Sequence, residues 1–459
     1  MSAAWAMREV GTAALGDARR TRRLATVLSD LAARPGEGIP AACATPAATK
    51  AAYRFLANEA IDAAQILAAH IAASAERLRG EATILALQDT TTLDFTAHAA
   101  VAGVGPLAHP ARTGLLVHSV LAATAEGVPL GLLHQHIWAR DPDAVGQRHT
   151  RRQRPTAEKE SQRWLDAQTA TQHLVPAGTP VITVADREAD IYDLFALARP
   201  ADHDLLIRAT HNRRVAEEAR YLWAAVQTAP VGEVVPVAVG RRADRAPREA
   251  LLTLRWAAIT LLPPRNRPDR AALAAIPVVA ILAEDPVPPP GETAIRWLLL
   301  TTLPVAGGEA ALDCVRVYAQ RWLIERYHFA LKSGCRIEAL QLRTAARLER
   351  AVAICAIVAW RLLWLTYLAR ADPERPCTVA LSPGEWQVLF AATHPRTALP
   401  ARPPPLGHAV RWIARLGGFL DRAGDGEPGV KVLWRGLRRL DDLTLGWQRA
   451  APSRLVGNG

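Results

Sequence analysis

The chain has 459 residues, half of them apolar, with 55 Lys and Arg against 44 Asp and Glu and a formal net charge of +11. That length calls for two or three domains, and that apolar share is enough for a sizeable core, so disorder is not the default reading. The excess of positive charge favours polyanions, nucleic acid first and an anionic membrane second, although an Arg- and Ala-rich bias accounts for part of it.

The N-terminus, MSAAWAMREVGTAALGDARR, has no basic stretch leading into an apolar one, so no secretory leader is expected. To about residue 68 the pattern is helical. ARRTRRLATVLSDLAARPG carries apolar residues at helical spacing and ends on Pro-Gly, and TKAAYRFLANEAI is a second helical piece. Arg19, Arg20, Arg22 and Arg23 cluster at the start of the first helix, as a solvated face or as contacts to DNA phosphates.

From about residue 83 the period changes. ILALQD is a short strand ending in an acid, and GLLVHSVLAAT and VPLGLLHQHIW form a hairpin about AEG. PTAEKESQRWLDAQTATQHL is helical, PVITVAD is a buried strand ending in an acid, EADIYDLFALA is helical and HDLLIRAT is a strand. The order matches an α/β mixed sheet with flanking helices. Residues from about 212 to 303 read as a strand-rich insertion: EVVPVAVG, ALLTLRWAAITLL, IPVVAILAE and IRWLLLTTL, spaced in places by Pro-rich links. A long helix is expected from about Leu312 to Gly334, with Gly334 as its C-cap. AVAICAIVAWRLLWLTYLA, from Ala351 to Ala369, resembles a membrane span. Arg361 in its middle, costing roughly 3 kcal/mol in a bilayer, favours a core helix. After ADPERP a smaller helical domain closes the chain. The five cysteines, Cys43, Cys314, Cys335, Cys355 and Cys377, form no CxxC pair and are odd in number. Neither a disulfide framework nor a zinc finger is expected, and a reduced, cytoplasmic protein is the simpler reading.

Asp89 and Asp186 end two strands that could be neighbours, and strand ends of open α/β sheets present side chains to a site. A turn or cap role is the ordinary use of such an acid. Asp94, Glu188 and Asp190 stand farther from the strand ends. On the long helix Tyr318, Arg321, Glu325 and Lys332 fall within roughly 60° of one another at about 100° per residue. That stripe is either an amphipathic surface or a site. Three carboxylates hold two hard divalent cations in phosphoryl transfer, and neighbouring cations and phenols grip the phosphates.

LALQDTTTLDF, VADREADIYDLF and YAQRWLIERYHFALKSG together resemble the three acid-bearing motifs of bacterial DDE cut-and-paste transposases of the insertion-sequence-four family. Tyr318-x2-Arg321-x3-Glu325-x6-Lys332 repeats that family's YREK spacing. ALGDARRTRRL, AYRFLAN, VHSVL with GLLHQ, GETAIRWLLLT and ARLGGFLD extend the likeness nearly end to end, toward the hairpin-forming Tn-five type. The resemblance implies a ribonuclease-H-like catalytic domain, 69–370, between a helical DNA-binding domain, 1–68, and a helical dimerisation domain, 371–459. It implies Asp89, Asp186 and Glu325 as catalytic ligands of two divalent metal ions, Mg²⁺ with Mn²⁺ able to substitute. Tyr318, Arg321 and Lys332 would contact phosphates, Trp297 would stack a flipped base and Arg208 would contact DNA. Thr210 and Tyr192 replace a lysine and a histidine of the family pattern, which adjusts DNA contacts. The implied partners are double-stranded DNA, both transposon ends and target, and a second copy of the chain, with no membrane. The implied activity is metal-dependent cutting of the ends, through a hairpin, and joining to target. A silent end-binding regulator and a nuclease without strand transfer are the alternatives.

Overall fold

The computed structural model describes residues 3–98, 100–109, 111–142, 154–239, 248–267 and 269–450. Residues 1–2 and 451–459 of the two expected terminal domains, Gly240 of EVVPVAVG and Pro268 of PPRNRP lie outside the described residues.

The described chain opens with helices α1 (Ala3–Val10), α2 (Ala18–Ala33), α3 (Ile39–Cys43), α4 (Pro46–Leu56) and α5 (Ala63–Arg77). Each start has a local cause. Asp17 caps α2 by accepting the Arg19 N–H at 2.7 Å, and Thr45 with Pro46 starts α4. Asp62 and Gln65 close a capping box that starts α5. Residue 68, the expected domain boundary, therefore falls inside a helix, and the helical layer runs on to Arg77. α4 stops at Leu56 instead of continuing to Ile61, and the buried Arg350 collects the carbonyl oxygens of Leu56 and Ile61.

A mixed sheet follows, made of β1 (Ile84–Asp94), β2 (Gly105–Pro106), β3 (Thr113–Thr124), β4 (Pro129–Trp138), β5 (Val181–Ala185) and β6 (His203–Arg208). β1, β3 and β4 form an antiparallel meander, and β5 and β6 run parallel to β1. Helices α6 (Gln162–Leu174) and α7 (Tyr192–Ala196) make the two crossovers. This is a ribonuclease-H-like mixed sheet with flanking helices, as the motifs imply.

The insertion contributes α8 (Leu222–Gln227), β7 (Glu233–Val239), β8 (Arg248–Leu261), β9 (Ile276–Glu284) and β10 (Arg296–Thr301). Its strands continue the same sheet, because β10 pairs antiparallel with β6 and the order runs β2-β3-β1-β5-β6-β10-β9-β8-β7.

The expected single helix from 312 to 334 is three pieces: α9 (Gly308–Ala319), α10 (Trp322–Phe329) and a π-helical turn over Ala330–Gly334. Between α9 and α10 the backbone tightens, with Arg321 N bonding Tyr318 O and Leu323 N bonding Gln320 O, both i to i−3. At the end it widens, with Cys335 N reaching Ala330 O. Gly334 is not the left-handed cap expected; Arg336 holds that conformation, at φ 50°. Gly334 is small because a Cβ there would stand 3.1 Å from the Trp434 ring.

Helix α11 (Ala345–Ala371) is the spine. It touches α2, α4, α5, β4 and α10, and also α13 (Leu406–Leu416) and α14 (Val430–Ala450). α12 (Pro383–Thr393) completes the C-terminal helices. By length and composition α11 could cross a membrane, yet 83% of its most apolar window is buried inside the protein. Arg361 lies 3.9 Å over the Trp5 ring and donates to the Ala380 carbonyl at 2.9 Å, so its charge is accommodated in a protein core.

Candidate active site

The two strand acids meet because of sheet register. β1 and β5 pair in parallel, and their last registered pair is Gln88 with Ala185. Asp89 and Asp186 are the next residues on each chain, so their backbones stand about one strand spacing, ~4.8 Å, apart. Asp89 does not end its strand: β1 continues to Asp94, and Asp89 faces Ser119 of β3. What ends there is the pairing with β5. Asp186 is extended, and its carboxylate caps the short 3₁₀ turn Arg187–Ala189 by accepting the Glu188 N–H at 2.8 Å.

Glu325, in the first turn of α10, is the third acid. Burial pushes the Asp89 carboxyl up to about 7, and the charge of Asp186 adds to this. The Thr90 N–H, donated at 2.7 Å, and Arg321 oppose it, and Glu325 raises it further. Asp89 thus feels the charges of both other acids. Arg321 stands among them: its guanidinium is 2.5 Å from Glu325 Oε1 and 3.6 Å from Asp89 Oδ2.

A hard divalent cation fits this donor set chemically, with oxygen ligands only and mutual repulsion that a cation relieves. Among the described residues, however, no three His, Cys, Asp or Glu side chains converge as a ready-made metal-binding group. The positive charge between Asp89 and Glu325 is here the guanidinium, which must turn aside for a metal to take that place.

The stripe expected on one helix divides. Arg321 and Glu325, one turn apart, stay paired. Tyr318 is buried and edge-on to Trp297 at 5.2 Å and 67°, within electrostatic reach of Arg208. Burial pushes the phenol above its ordinary value, with Arg321 and Arg208 pulling it back. Burial also lowers Arg208, and Tyr318 opposes that; Arg208 Nη2 donates to the Arg296 carbonyl at 3.0 Å. Trp297 on β10 is half-buried, with Leu299 of the same strand opposite Arg208. Lys332, carried by the π turn, donates to the Thr92 carbonyl at 2.9 Å and lies 3.5 Å from Glu338.

The N-terminal arginines sit apart from these acids in the chain fold, at the start of α2. Arg19, Arg22 and Arg23 are exposed. Arg20 is not a free cation, since it donates to the Leu15 carbonyl at 3.0 Å. Four arginines in the first six residues of α2 oppose the helix dipole, which favours acids there. Tyr192 is buried, and its hydroxyl donates to the Ala274 carbonyl of the insertion.

Two groups around the acids were given no role by the reading of the sequence. Asp190 is fully buried and accepts the N–H groups of Thr210 and His211 and the guanidinium of Arg213. Arg163, near the start of α6, donates to Thr90 and Glu188. The adjacency of Asp190 to Asp186 was a visible signal; nothing local marks Arg163.

Three family models match the chain. One described as transposase DNA-binding covers residues 2–61, one described as transposase DDE domain covers 146–361, and one described as transposase Tn5 dimerisation domain covers 357–453. Asp186, Glu325 and the YREK residues fall in the second, while Asp89 lies between the first two.

Proposed function

Because this chain belongs to the DDE transposases of the Tn5 type, we propose that it cuts the two ends of a mobile DNA element and joins their 3′-OH groups to target DNA with Asp89, Asp186 and Glu325 as the metal-binding triad. It is a DNA-binding protein with a dimerisation domain and a DDE nuclease-type domain, and the DDE domain implies a divalent metal cofactor. The observation that carries the finer reading is the register of β1 and β5, which sets Asp89 beside Asp186 in reach of Glu325's charge.

Two Mg²⁺ ions, or Mn²⁺, bound by these acids would supply Lewis-acid stabilisation of the attacking and leaving oxygens. The chain's own cations do the rest. Arg321, released from Glu325, and Lys332, released from Thr92, bind phosphate oxygens of the cleaved strand, and Arg208 with Tyr318 holds the strand at the edge of β6. Trp297, braced by Tyr318, stacks a base turned out of the helix, which offsets the cost of unstacking. Water opens one strand at the element's end, the freed 3′-OH attacks the opposite strand to leave a hairpin, water opens the hairpin, and the 3′-OH attacks target DNA. Each step is an in-line displacement at phosphorus, so one site serves all four. Arg19, Arg22 and Arg23 contact phosphates farther along the same DNA, and Arg20 helps to shape that helix start. Two copies hold two ends, in the cytoplasm on nucleoid DNA.

The test is a fragment carrying the cognate ends, incubated with protein and Mg²⁺ and resolved for nicked, hairpin and joined products. Loss of all products in Asp89→Ala with retained end binding is expected. Undiminished cutting by Asp89→Ala overturns the triad. Binding without nicking in Mg²⁺ or Mn²⁺ identifies a silent regulator instead, and nicking without joined products a nuclease. A monomeric mass for the DNA complex contradicts the dimer.

A further inference from the structure

Arg163 lies near the N-terminus of α6, and only 12% of its side chain is exposed. Its Nε donates to the Thr90 hydroxyl at 2.9 Å, and its Nη2 donates to Glu188 Oε2 at 2.7 Å. Nη1 donates to the Glu160 carbonyl at 2.8 Å, which fixes the fork against its own helix start. Thr90 directly follows Asp89, and Glu188 stands two residues after Asp186. One planar guanidinium therefore spans both acid-bearing segments.

The surroundings hold that fork still. The guanidinium lies 5.9 Å from the Trp138 ring centre and 5.5 Å from that of Trp164. The Thr90 hydroxyl, which accepts from Arg163, is also hydrogen-bonded to Nδ1 of His118 at 2.9 Å. His118 is fully buried and edge-on to Trp164, and burial holds it well below its ordinary value. The 3₁₀ turn after Asp186 is tied on its other side by Asp190, which grips the loop following β6. Arg163 supplies the tie toward β1.

We propose that Arg163 is a positioning residue of the metal site, setting the spacing of Asp89 and Asp186 by holding Thr90 and Glu188 on one guanidinium. The inference rests on reading those acids as metal ligands. Two neighbouring carboxylates repel each other, and a cation bound by both needs them at one separation. Groups that orient ligands in this way typically change metal affinity by about 10- to 100-fold when removed. A lysine keeps the charge but places one compact ammonium where a flat fork bridges two acceptors.

The experiment is a titration of the full-length, metal-free protein with Mn²⁺, following the free-ion electron paramagnetic resonance signal, alongside thermal melting. Arg163→Ala and Arg163→Lys should each weaken Mn²⁺ binding about tenfold or more. The double variant Thr90→Val/Glu188→Ala should weaken it similarly, and adding Arg163→Ala to it should cost nothing further. If Arg163→Ala fails to fold, the Thr90→Val/Glu188→Ala pair carries the test. Wild-type Mn²⁺ affinity in that pair, or in Arg163→Ala, overturns the proposal provided Asp89→Ala has lost it. Wild-type affinity in Asp89→Ala overturns the triad reading itself.

Discussion

Replacing Asp190 with alanine should loosen the loop that follows β6 without disturbing the spine of the protein. The Asp190 side chain is fully buried. Its Oδ2 accepts Thr210 N at 2.8 Å and His211 N at 2.9 Å, and its Oδ1 accepts Arg213 Nε at 2.8 Å and lies 2.7 Å from Nη2 in an ion pair. Removal leaves Arg213, only 12% exposed, without its carboxylate, and leaves two backbone donors unpaired. Breaking a buried ion pair from one side costs about 3–5 kcal/mol. Each orphaned N–H adds ~1–3 kcal/mol before water enters, so the lower figure is a floor for the loop. A loss of about 3–5 kcal/mol in local opening free energy corresponds to exchange faster by about two to three and a half decades. Hydrogen exchange read by mass spectrometry on peptides covering 209–213 measures this, with a peptide inside α11 as the internal reference. Acceleration of the loop alone is expected. Less than a tenfold change there would refute the view that Asp190 anchors the loop that follows Arg208.

Three further perturbations have definite outcomes. Arg321→Ala removes the cation lying between Glu325 and Asp89. For a partly exposed pair this should tighten Mn²⁺ binding by about three- to tenfold while DNA cutting falls, and weaker Mn²⁺ binding would contradict it. Asp30 is raised to about 6, by burial first and also by Asp441, against the Cys43 thiol and Arg23. The folded protein thus holds that proton more tightly than the unfolded chain, whose carboxyl titrates near 3.8. Its contribution is present below about pH 4 and lost as pH rises to about 6. Asp30→Asn should therefore match wild type in melting at pH 3.5 and exceed it by on the order of 2 kcal/mol at pH 7; an equal gap at both pH values would count against this. Arg350→Ala leaves the carbonyl oxygens of Leu56 and Ile61 without their buried donor. It should cost about 3 kcal/mol and speed limited proteolysis between α4 and α5, and unchanged cleavage there would show that α4 docks by other means.

What the sequence determined by itself was local or carried by whole motifs. Alternation and apolar runs marked the strands on either side of Asp89 and Asp186, because side-chain period is set residue by residue along the chain. The basic start of α2 and the apolar, Arg361-bearing α11 were legible for the same reason. The tertiary structure decided everything that depends on register or on distant partners. That Asp89 is mid-strand yet next to Asp186 follows from where the β1–β5 pairing stops, which no local pattern encodes. That the insertion lengthens the sheet follows from β10 docking on β6. The stripe built on 100° per residue broke, because one tight and one π turn reset the phase, moving Tyr318 into the core beside Trp297. Arg321 between two acids, Arg163 across both acid-bearing segments and Asp190 beneath the β6 loop arise from residues far apart in sequence. Buried charge has to be paired, and which partner reaches it is a matter of three-dimensional placement that helical and strand periods do not carry.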